Sequence, residues 1–286
     1  MSSLLASLDR PPSGRQHAIW FEAADYGRAR LLAGGAVPWS SPADLTAFVG
    51  KLQGMFRSDV IAVDLADVFA QRAAGDDQLR AAMTARTRPG YALRTLLADE
   101  RARGTAAEAV RALAATAGSV PLVLTVPAPG RWLGVAAELA GSDPGPLDAD
   151  RAETAAMYVA DMLRTFGGLG VDGLVVDEGP TPAGGLIHPE ASRSVLNVAD
   201  HYQWAALIRT EAVPAWPHGP VPGIAAWIGS GPPTAPGPPP GRWGLVSGPD
   251  FWEGADAPPD ADLVVVAIPA QAEPEAVMKR VRDLSP

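Results

Sequence analysis

Cysteine does not occur anywhere in the 286 residues of the chain. Without a thiol the protein can form no disulfide, can use no thiolate as a nucleophile and can hold no metal through sulfur. Enzymes that depend on those groups are therefore excluded. The absence is compatible with a cytoplasmic location, and this is the compartment that we predict.

Lysine is also scarce, since only Lys51 and Lys279 occur and no basic run exists. The 23 basic residues are outnumbered by 32 acidic residues, which gives a formal net charge of -9. Binding to a nucleic-acid backbone needs clustered cations. We therefore predict no nucleic-acid partner.

Long hydrophobic runs are missing as well. A membrane-spanning helix needs about 20 consecutive apolar residues, and no stretch approaches that length. Residues 1–15 lack the basic region and the long apolar core of a signal peptide. We expect a soluble chain with no membrane contact, in which residues 1–286 form one domain and residues 1–15 are loose.

Short apolar runs that end in acidic side chains are the main feature that is present. Residues 174–176 form a run typical of a parallel strand buried on both faces, and Asp177 and Glu178 follow it. The carboxyl ends of parallel strands are where α/β proteins bind ligands. Two further runs end in the same way, namely residues 17–21 before Glu22 and Asp25, and residues 60–63 before Asp64 and Asp67.

The chain alternates between strand-like and helix-like segments, which predicts a parallel sheet with helical crossovers. Seven strands are indicated, one fewer than a closed eightfold barrel needs, and residues 192–211 are predicted to be a single helix. Residues 231–241 are rich in proline and glycine and predict an extended surface loop. An open doubly wound sheet also accommodates seven strands, but no glycine fingerprint follows the first strand.

Several segments resemble the uroporphyrinogen decarboxylase superfamily. Residues 121–133, which include Pro127-Ala-Pro-Gly-Arg-Trp132, are similar to a strand of that family and the Gly-Ala-Pro-Trp-Thr-Leu turn that follows it. Similar matches occur at residues 19–22, 59–67, 171–178 and 274–282. The resemblance implies a TIM-like (β/α)8 barrel, distorted or missing one strand, with its site at the carboxyl ends of the strands. It also implies that Asp67 matches a functional aspartate.

The departures from this family narrow the expected activity. Uroporphyrinogen decarboxylases follow their first strand with an Arg-Gln-x-Gly-Arg segment that binds a tetracarboxylate. Here residues 22–28 are acidic at the corresponding place and only Arg28 remains. Because like charges repel in one pocket, we predict that the chain is not a true uroporphyrinogen decarboxylase. Methyltransferases of the superfamily bind zinc through His and Cys, and with no cysteine that site cannot form. A zinc site built from His and carboxylates stays open as an alternative, but His188 and Glu178 have no recognisable ligand spacing. We predict no metal and no cofactor.

Carboxylates that converge on one barrel mouth raise one another's pKa, so one can act as an acid and another as a base. We therefore predict a cofactor-independent, decarboxylase-like lyase that acts on a small organic acid. The predicted catalytic residues are Asp67, Glu178 and His188. The predicted substrate-binding residues are Glu22, Asp25, Tyr26, Arg28, Asp64, Arg131, Trp132 and Asp177.

Several of these residues also have a structural alternative. Asp67 can cap the helix that follows it, and Glu178 can pair with Arg131. Arg28 can form a salt bridge at the rim, and His188 can be a surface histidine. The ring of Trp132 can form an apolar platform for a planar substrate or can pack in the core.

Two further functions stay open. A methyl- or alkyl-transferase of the same superfamily would need a bound metal. A non-catalytic binding or partner protein on a decayed barrel is suggested by the missing strand and the missing arginines. The partners that we expect are a small-molecule substrate and a second copy of the chain in a homodimer.

Overall fold

Eight parallel strands form one sheet that curves into a nearly closed barrel. In this computed structural model the described residues are 3–88, 90–179, 189–210, 221–229, 242–248, 250–253 and 261–284. Neighbours follow the order β1-β8-β7-β6-β5-β4-β3-β2. The strands are β1 (Ala18–Glu22), β2 (Ile61–Asp64), β3 (Leu122–Pro127), β4 (Gly173–Asp177), β5 (Ala205–Arg209), β6 (Ala226–Gly229), β7 (Arg242–Ser247) and β8 (Leu263–Ala267).

Helices cover the outer face of the sheet and complete a TIM-like (β/α)8 barrel, which confirms the predicted fold class. Within the described ranges, none of these helices combines the length and the apolar character needed to span a membrane. The helices are α1 (Ser3–Asp9), α2 (Ala24–Leu31), α3 (Pro42–Phe56), α4 (Leu65–Ala74), α5 (Asp77–Met83), α6 (Tyr91–Leu97), α7 (Glu100–Thr116), α8 (Pro129–Leu139), α9 (Ala149–Leu163), α10 (Arg193–His201), α11 (Asp250–Glu253) and α12 (Pro274–Asp283).

The strand that the sequence prediction lacked is β5, which lies inside the segment predicted as one helix. Helix α10 stops at His201, and Gln203 then takes a left-handed conformation with φ of 60°. That conformation is unfavourable for most residues other than glycine and asparagine. Here it turns the chain from the end of α10 towards β5. The barrel therefore has its full set of strands, so the eighth strand was missed by the sequence prediction and is not lost from the fold.

The barrel interior is filled by apolar side chains that alternate with outward-facing ones along each strand. The interior cluster consists of Leu4, Leu8, Ala18, Trp20, Val60, Val123, Val175, Ala205, Leu207, Ala226, Ile228, Leu263 and Val265. Two of its members, Leu4 and Leu8, come from α1, so this helix closes the amino-terminal end of the barrel. Residues 3–9 are thus packed, which corrects the expectation that residues 1–15 are loose.

The seam between β1 and β2 is joined by side chains. Among the described residues these two strands share no ladder, and the only backbone link that is seen runs from Asp59 N to Ile19 O at 2.8 Å. The Asp59 carboxylate accepts from Ile19 N at 2.9 Å, and the Ser58 hydroxyl accepts from Phe21 N at 3.0 Å. Arg15 lies beside Asp59, with 3.7 Å between the guanidinium and the carboxylate. Hydrogen bonds from these side chains therefore join the two strands at the amino-terminal end of the seam.

Candidate active site at the barrel mouth

The carboxyl ends of the strands carry a layer of polar side chains. Side chains on a strand alternate between its two faces, so the residue two places beyond an interior apolar side chain also faces the barrel axis. Trp20, Ala62, Val123, Val175 and Leu207 pack in or against the interior cluster. The residues two places further on are Glu22, Asp64, Thr125, Asp177 and Arg209, and all of them line one cavity of about 560 Å³.

This cavity brings together most of the predicted site residues. Helix α2, helix α4 and helix α8 begin just after β1, β2 and β3, so their first turns also border the opening. The predicted site residues that line it are Glu22, Asp25, Arg28, Asp64, Asp67, Arg131 and Asp177. The acids from separate parts of the chain thus meet around one mouth.

Asp64 and Asp67 form a carboxylate pair at the start of α4. Asp64 is the N-cap residue, and its Oδ1 accepts from the backbone nitrogens of Ala66 at 2.9 Å and Asp67 at 3.2 Å. Asp67 lies three residues on, where its Oδ2 accepts from Trp39 Nε1 at 2.7 Å and from Gln71 Nε2 at 2.9 Å. Asp64, rather than Asp67, is therefore the cap of this helix, and two donors fix the orientation of the Asp67 carboxylate.

The pKa of Asp64 is raised to about 6. Desolvation is the largest cause, because the protein atoms that line the cavity lie around the carboxylate, although the residue is accessible from within the cavity. The negative charges of Asp67 and Asp177 add to the shift, whereas the backbone hydrogen bonds oppose it. Asp64 therefore exchanges a proton near neutral pH.

Arg209 and Glu22 form an ion pair at the mouth. Both terminal nitrogens of Arg209 donate to the Glu22 carboxylate, with Nη2 to Oε2 at 3.0 Å and Nη1 to Oε1. The side chains retain 20% and 26% of their exposure. A cation that binds a carboxylate in this bidentate way has the geometry needed to bind the carboxylate of a ligand.

Asp177 and Glu178 follow β4 but have different surroundings. Arg131 Nη1 donates to Asp177 Oδ2 at 2.6 Å, so Arg131 pairs with Asp177 rather than with Glu178 as the alternative had it. The backbone nitrogen of Glu178 donates to Arg209 O at 2.9 Å. Burial, followed by the charge of Asp177, raises the pKa of Glu178 to about 7 against the opposing effect of Arg131. Glu178 lies beside the cavity and does not line it.

The remaining predicted residues lie at the rim or away from the cavity. Asp25 and Arg28 are exposed at the rim, 3.5 Å apart. Tyr26 is buried against Phe56, and Trp132 is fully buried with its ring edge-on to Phe69. These two rings are part of the core and do not line the cavity, which corrects their expected position at the site. His188 lies outside the described residues.

Four residues that line the cavity or hold its acids were missed by sequence reasoning. Arg209 ends β5 after an apolar run, which is the same pattern that identified Asp64 and Asp177, but that strand was assigned to a helix. Thr125 sits inside β3 beside Asp64 in the register. Trp39 and Gln71 contact Asp67, and no local pattern predicts the contact of Trp39, because 28 residues separate it from Asp67.

In the part of the chain that the structure describes, no group of three or more His, Asp or Glu side chains is arranged to hold a metal ion. The carboxylates and arginines that border the cavity are side chains that can transfer protons and bind the carboxylate of a ligand.

Comparisons with known proteins assign no family. No family model matches the chain, and no curated protein matches it. Among solved structures, a 2,3-dimethylmalate lyase described as a PEP mutase/isocitrate lyase superfamily member aligns with a TM-score of 0.38 and 9% identity. The alignment covers 99% of this chain and 84% of that one. The likeness is too low to place this chain in that superfamily or to carry an argument about activity.

The resemblance to the uroporphyrinogen decarboxylase superfamily is corrected by these findings. No model of that family, or of any other, matches the chain. The motifs that suggested the resemblance are short strands with the residues that follow them and one helix, which are elements that parallel barrels share. The methyl-transfer alternative depended on the same resemblance and loses its basis with it.

Proposed function

We propose that the protein is a lyase that acts on a small organic acid, with Asp64 and Asp67 as its acid–base pair. The observation that carries the proposal is the position of these two carboxylates, one helical turn apart on the wall of a cavity that arginines also line. Among the ion pairs of the described residues, neither of the two is paired with an arginine. Their charges and protons are therefore available to a ligand.

The chemistry follows from the raised pKa of Asp64. Decarboxylation of a 3-oxo acid breaks the bond to the carboxylate, releases CO2 and leaves the electron pair as an enolate, which must take a proton at carbon. With a pKa of about 6, Asp64 is protonated in roughly a tenth of the molecules at pH 7 and can deliver that proton. Glu178, with a pKa of about 7, is a second proton source beside the mouth.

Asp67 serves as the base in this proposal. In a retro-aldol cleavage, it would take the proton of a 3-hydroxyl group while the carbon–carbon bond breaks, and Asp64 would protonate the enolate that is released. Its two hydrogen-bond donors, Trp39 and Gln71, keep the carboxylate in one orientation. A base held in a fixed position near the reacting atom contributes about 100- to 10,000-fold in rate.

Arg209 and Arg131 are the groups that would bind the substrate carboxylate. Both line the cavity, and each already holds a protein carboxylate, Glu22 and Asp177 respectively. A substrate carboxylate can take the place of Glu22 on Arg209 and keep the two parallel hydrogen bonds. The exchange leaves the partly buried Glu22 carboxylate without its partner, at a cost of about 1–3 kcal/mol that the ligand's other contacts must offset.

A binding protein without turnover is the second candidate. It is favoured by the fact that three of the five carboxylates that line the cavity, Glu22, Asp25 and Asp177, are within ion-pair distance of an arginine. Such ion pairs are typical of a barrel mouth in which the charged side chains stabilise the protein itself and do not take part in a reaction.

The experiment that separates the two candidates uses Asp67→Asn and a control on another helix. The purified protein is incubated in D2O with a panel of 3-oxo and 3-hydroxy acids, and products and deuterium incorporation are followed by NMR. We expect turnover that falls at least about 100-fold in Asp67→Asn. Asp44→Asn is the matched control, because Asp44 occupies the same third position of α3 and does not line the cavity.

Two results would contradict the proposal. Unchanged turnover in a folded Asp67→Asn protein would remove Asp67 from the reaction. Acids that bind at the cavity but are never converted, in the wild-type protein as in the variants, would favour the binding protein.

A further inference from the structure

The cavity extends beyond the barrel interior. It is lined by interior residues of β1 and β2, such as Trp20 and Ala62, and also by their outward-facing neighbours Phe21 and Ile61. A closed ladder would separate these two faces, but the described residues of β1 and β2 share none. The cavity therefore passes through the seam and continues beneath the outer helices.

The part beyond the seam is largely apolar, and we call it the side chamber. Three of its side chains, Phe48, Leu52 and Phe56, are spaced four residues apart and so lie along one face of α3. Phe21, Val37 and Val49 also line it, and Gln53 is the one polar side chain of α3 among the lining residues. The nearby Ser58 hydroxyl accepts from Phe21 N and donates to Val60 O, so it already has partners within the protein. The chamber thus suits a hydrocarbon group better than water.

The size of the cavity exceeds what a short acid needs. At about 30 Å³ for each water-sized group, an acid of about eight non-hydrogen atoms fills less than half of the 560 Å³. A ligand that left the side chamber empty would forgo the burial of apolar surface. The polar end of the cavity, with Asp64, Asp177 and Arg209, lies at the carboxyl ends of the strands.

We propose that the ligand of this site is an organic acid that carries an apolar alkyl or aryl substituent. Its carboxylate binds among the polar side chains of the mouth, and its substituent passes through the β1–β2 seam into the side chamber. The acidic end of the ligand rests on the proposed function. The substituent rests on the side chamber alone.

The test measures binding, so it does not require turnover. Butanoate, hexanoate and octanoate are titrated into the protein by calorimetry, with octylamine as the probe of opposite charge. We expect the affinity to rise about 4-fold for each methylene group that enters the chamber, and octanoate to bind more tightly than octylamine. Equal affinity for the three acids would overturn the proposal, and tighter binding of octylamine would overturn the acid head group.

Filling the side chamber should remove the dependence on chain length. Leu52→Trp is the first variant and Val49→Phe is a second one in case the larger ring prevents folding. Both residues line the chamber and are only partly buried. Lys51→Trp is the control, because Lys51 lies on the same helix, is exposed and does not line the cavity. We expect both chamber variants to bind octanoate no better than butanoate and the control to behave like the wild type.

The two proposals can fail separately. In one outcome, Asp67→Asn and the wild type are equally inactive, while the affinity for acids still rises with chain length and Leu52→Trp abolishes that rise. The lyase proposal then fails and the side chamber stands. If turnover of short acids is found but chain length has no effect, the side chamber is not a ligand site. A rise with chain length that persists in both chamber variants would also overturn this inference.

Discussion

Arg209 at the end of β5 binds Glu22 at the end of β1 through both of its terminal nitrogens. The two strands are four places apart in the sheet order, on opposite sides of the barrel. The ion pair therefore crosses the mouth and joins parts of the chain that are 187 residues apart in sequence. Its position between the interior core and the cavity makes it a structural link and a candidate carboxylate receptor.

Replacing Arg209 by Met should lower stability and weaken the binding of acids. Glu22 keeps only about a quarter of its exposure, so the loss of its partner leaves a partly buried charge and should cost about 1–3 kcal/mol of unfolding free energy. Urea unfolding of Arg209→Met, Glu22→Gln and the double variant gives the coupling energy of the pair. A coupling energy near zero would show that the ion pair contributes nothing.

Much of the site is predictable from local patterns. Glu22, Asp64 and Asp177 each follow an apolar run at the end of a strand, and parallel strands bring such ends together. The strand β5 escaped this reasoning because neither glycine nor proline separates it from α10. Gln203 makes the turn in a left-handed conformation that its residue type does not indicate.

The surroundings of each acid cannot be predicted in the same way. Trp39 reaches Asp67 from the loop before α3, and Arg209 reaches Glu22 across the mouth. Both contacts depend on how helices and strands pack, which a pattern of nearby residues does not contain. The gap between β1 and β2 likewise follows from the assembled sheet.

Asp64→Asn should stabilise the protein at pH 8 and have no such effect near pH 4. The folded-state pKa of about 6 lies above the ordinary value of 3.8, so the stability linked to this group is present at low pH and is lost as pH rises through 6. Asparagine keeps the helix cap. Because the carboxylate is accessible through the cavity, solvent screening reduces the expected gain to about 1 kcal/mol.

Urea unfolding at the two pH values measures this effect. Asp64→Ala is the control for the cap: it lacks the charge as Asp64→Asn does but cannot cap the helix, so it should be about 1 kcal/mol less stable than Asp64→Asn at both pH values. A stability difference between Asp64→Asn and wild type that does not change with pH would contradict the raised pKa.

The proposed turnover should fall as pH rises above about 6, the pKa of Asp64. A general acid works only while protonated, so the rate decreases tenfold for each further pH unit. If Asp64 supplies the proton, the same fall in rate above pH 6 should be seen in Glu178→Gln. A limb near pH 7 that disappears in Glu178→Gln would instead assign the proton to Glu178, whose pKa is about 7.

Asp59→Ala should destabilise the barrel strongly. The Asp59 side chain is fully buried, accepts from Ser13 and Ile19, and lies beside the equally buried Arg15. Removing it leaves the charge of Arg15 without its partner, at a cost of about 3–5 kcal/mol. Urea unfolding measures the loss.

The matched control is Asp262→Ala. Asp262 accepts from Trp243 N at 2.9 Å at the β7–β8 seam in the same way, but its side chain is 42% exposed. Its loss should cost about 1 kcal/mol, because water can satisfy the released nitrogen. Equal costs for the two variants would show that burial of the Arg15 charge is not the cause.

Leu4→Ala should show that α1 is an integral part of the barrel. Leu4 is 1% exposed, and its Cδ2 atom would lie 2.5 Å from a Cβ atom on Gly173, so the side chain fills the space that this glycine leaves in β4. Truncation creates a cavity at the amino-terminal end of the barrel and should cost about 2–5 kcal/mol of unfolding free energy. Leu5→Ala, at a partly exposed position of the same helix, controls for helix propensity and should cost much less.

Because the change lies at the end of the barrel opposite the mouth, acid binding should stay unchanged in the folded Leu4→Ala protein. Equal costs for the two variants would mean that α1 only rests on the barrel and does not close it.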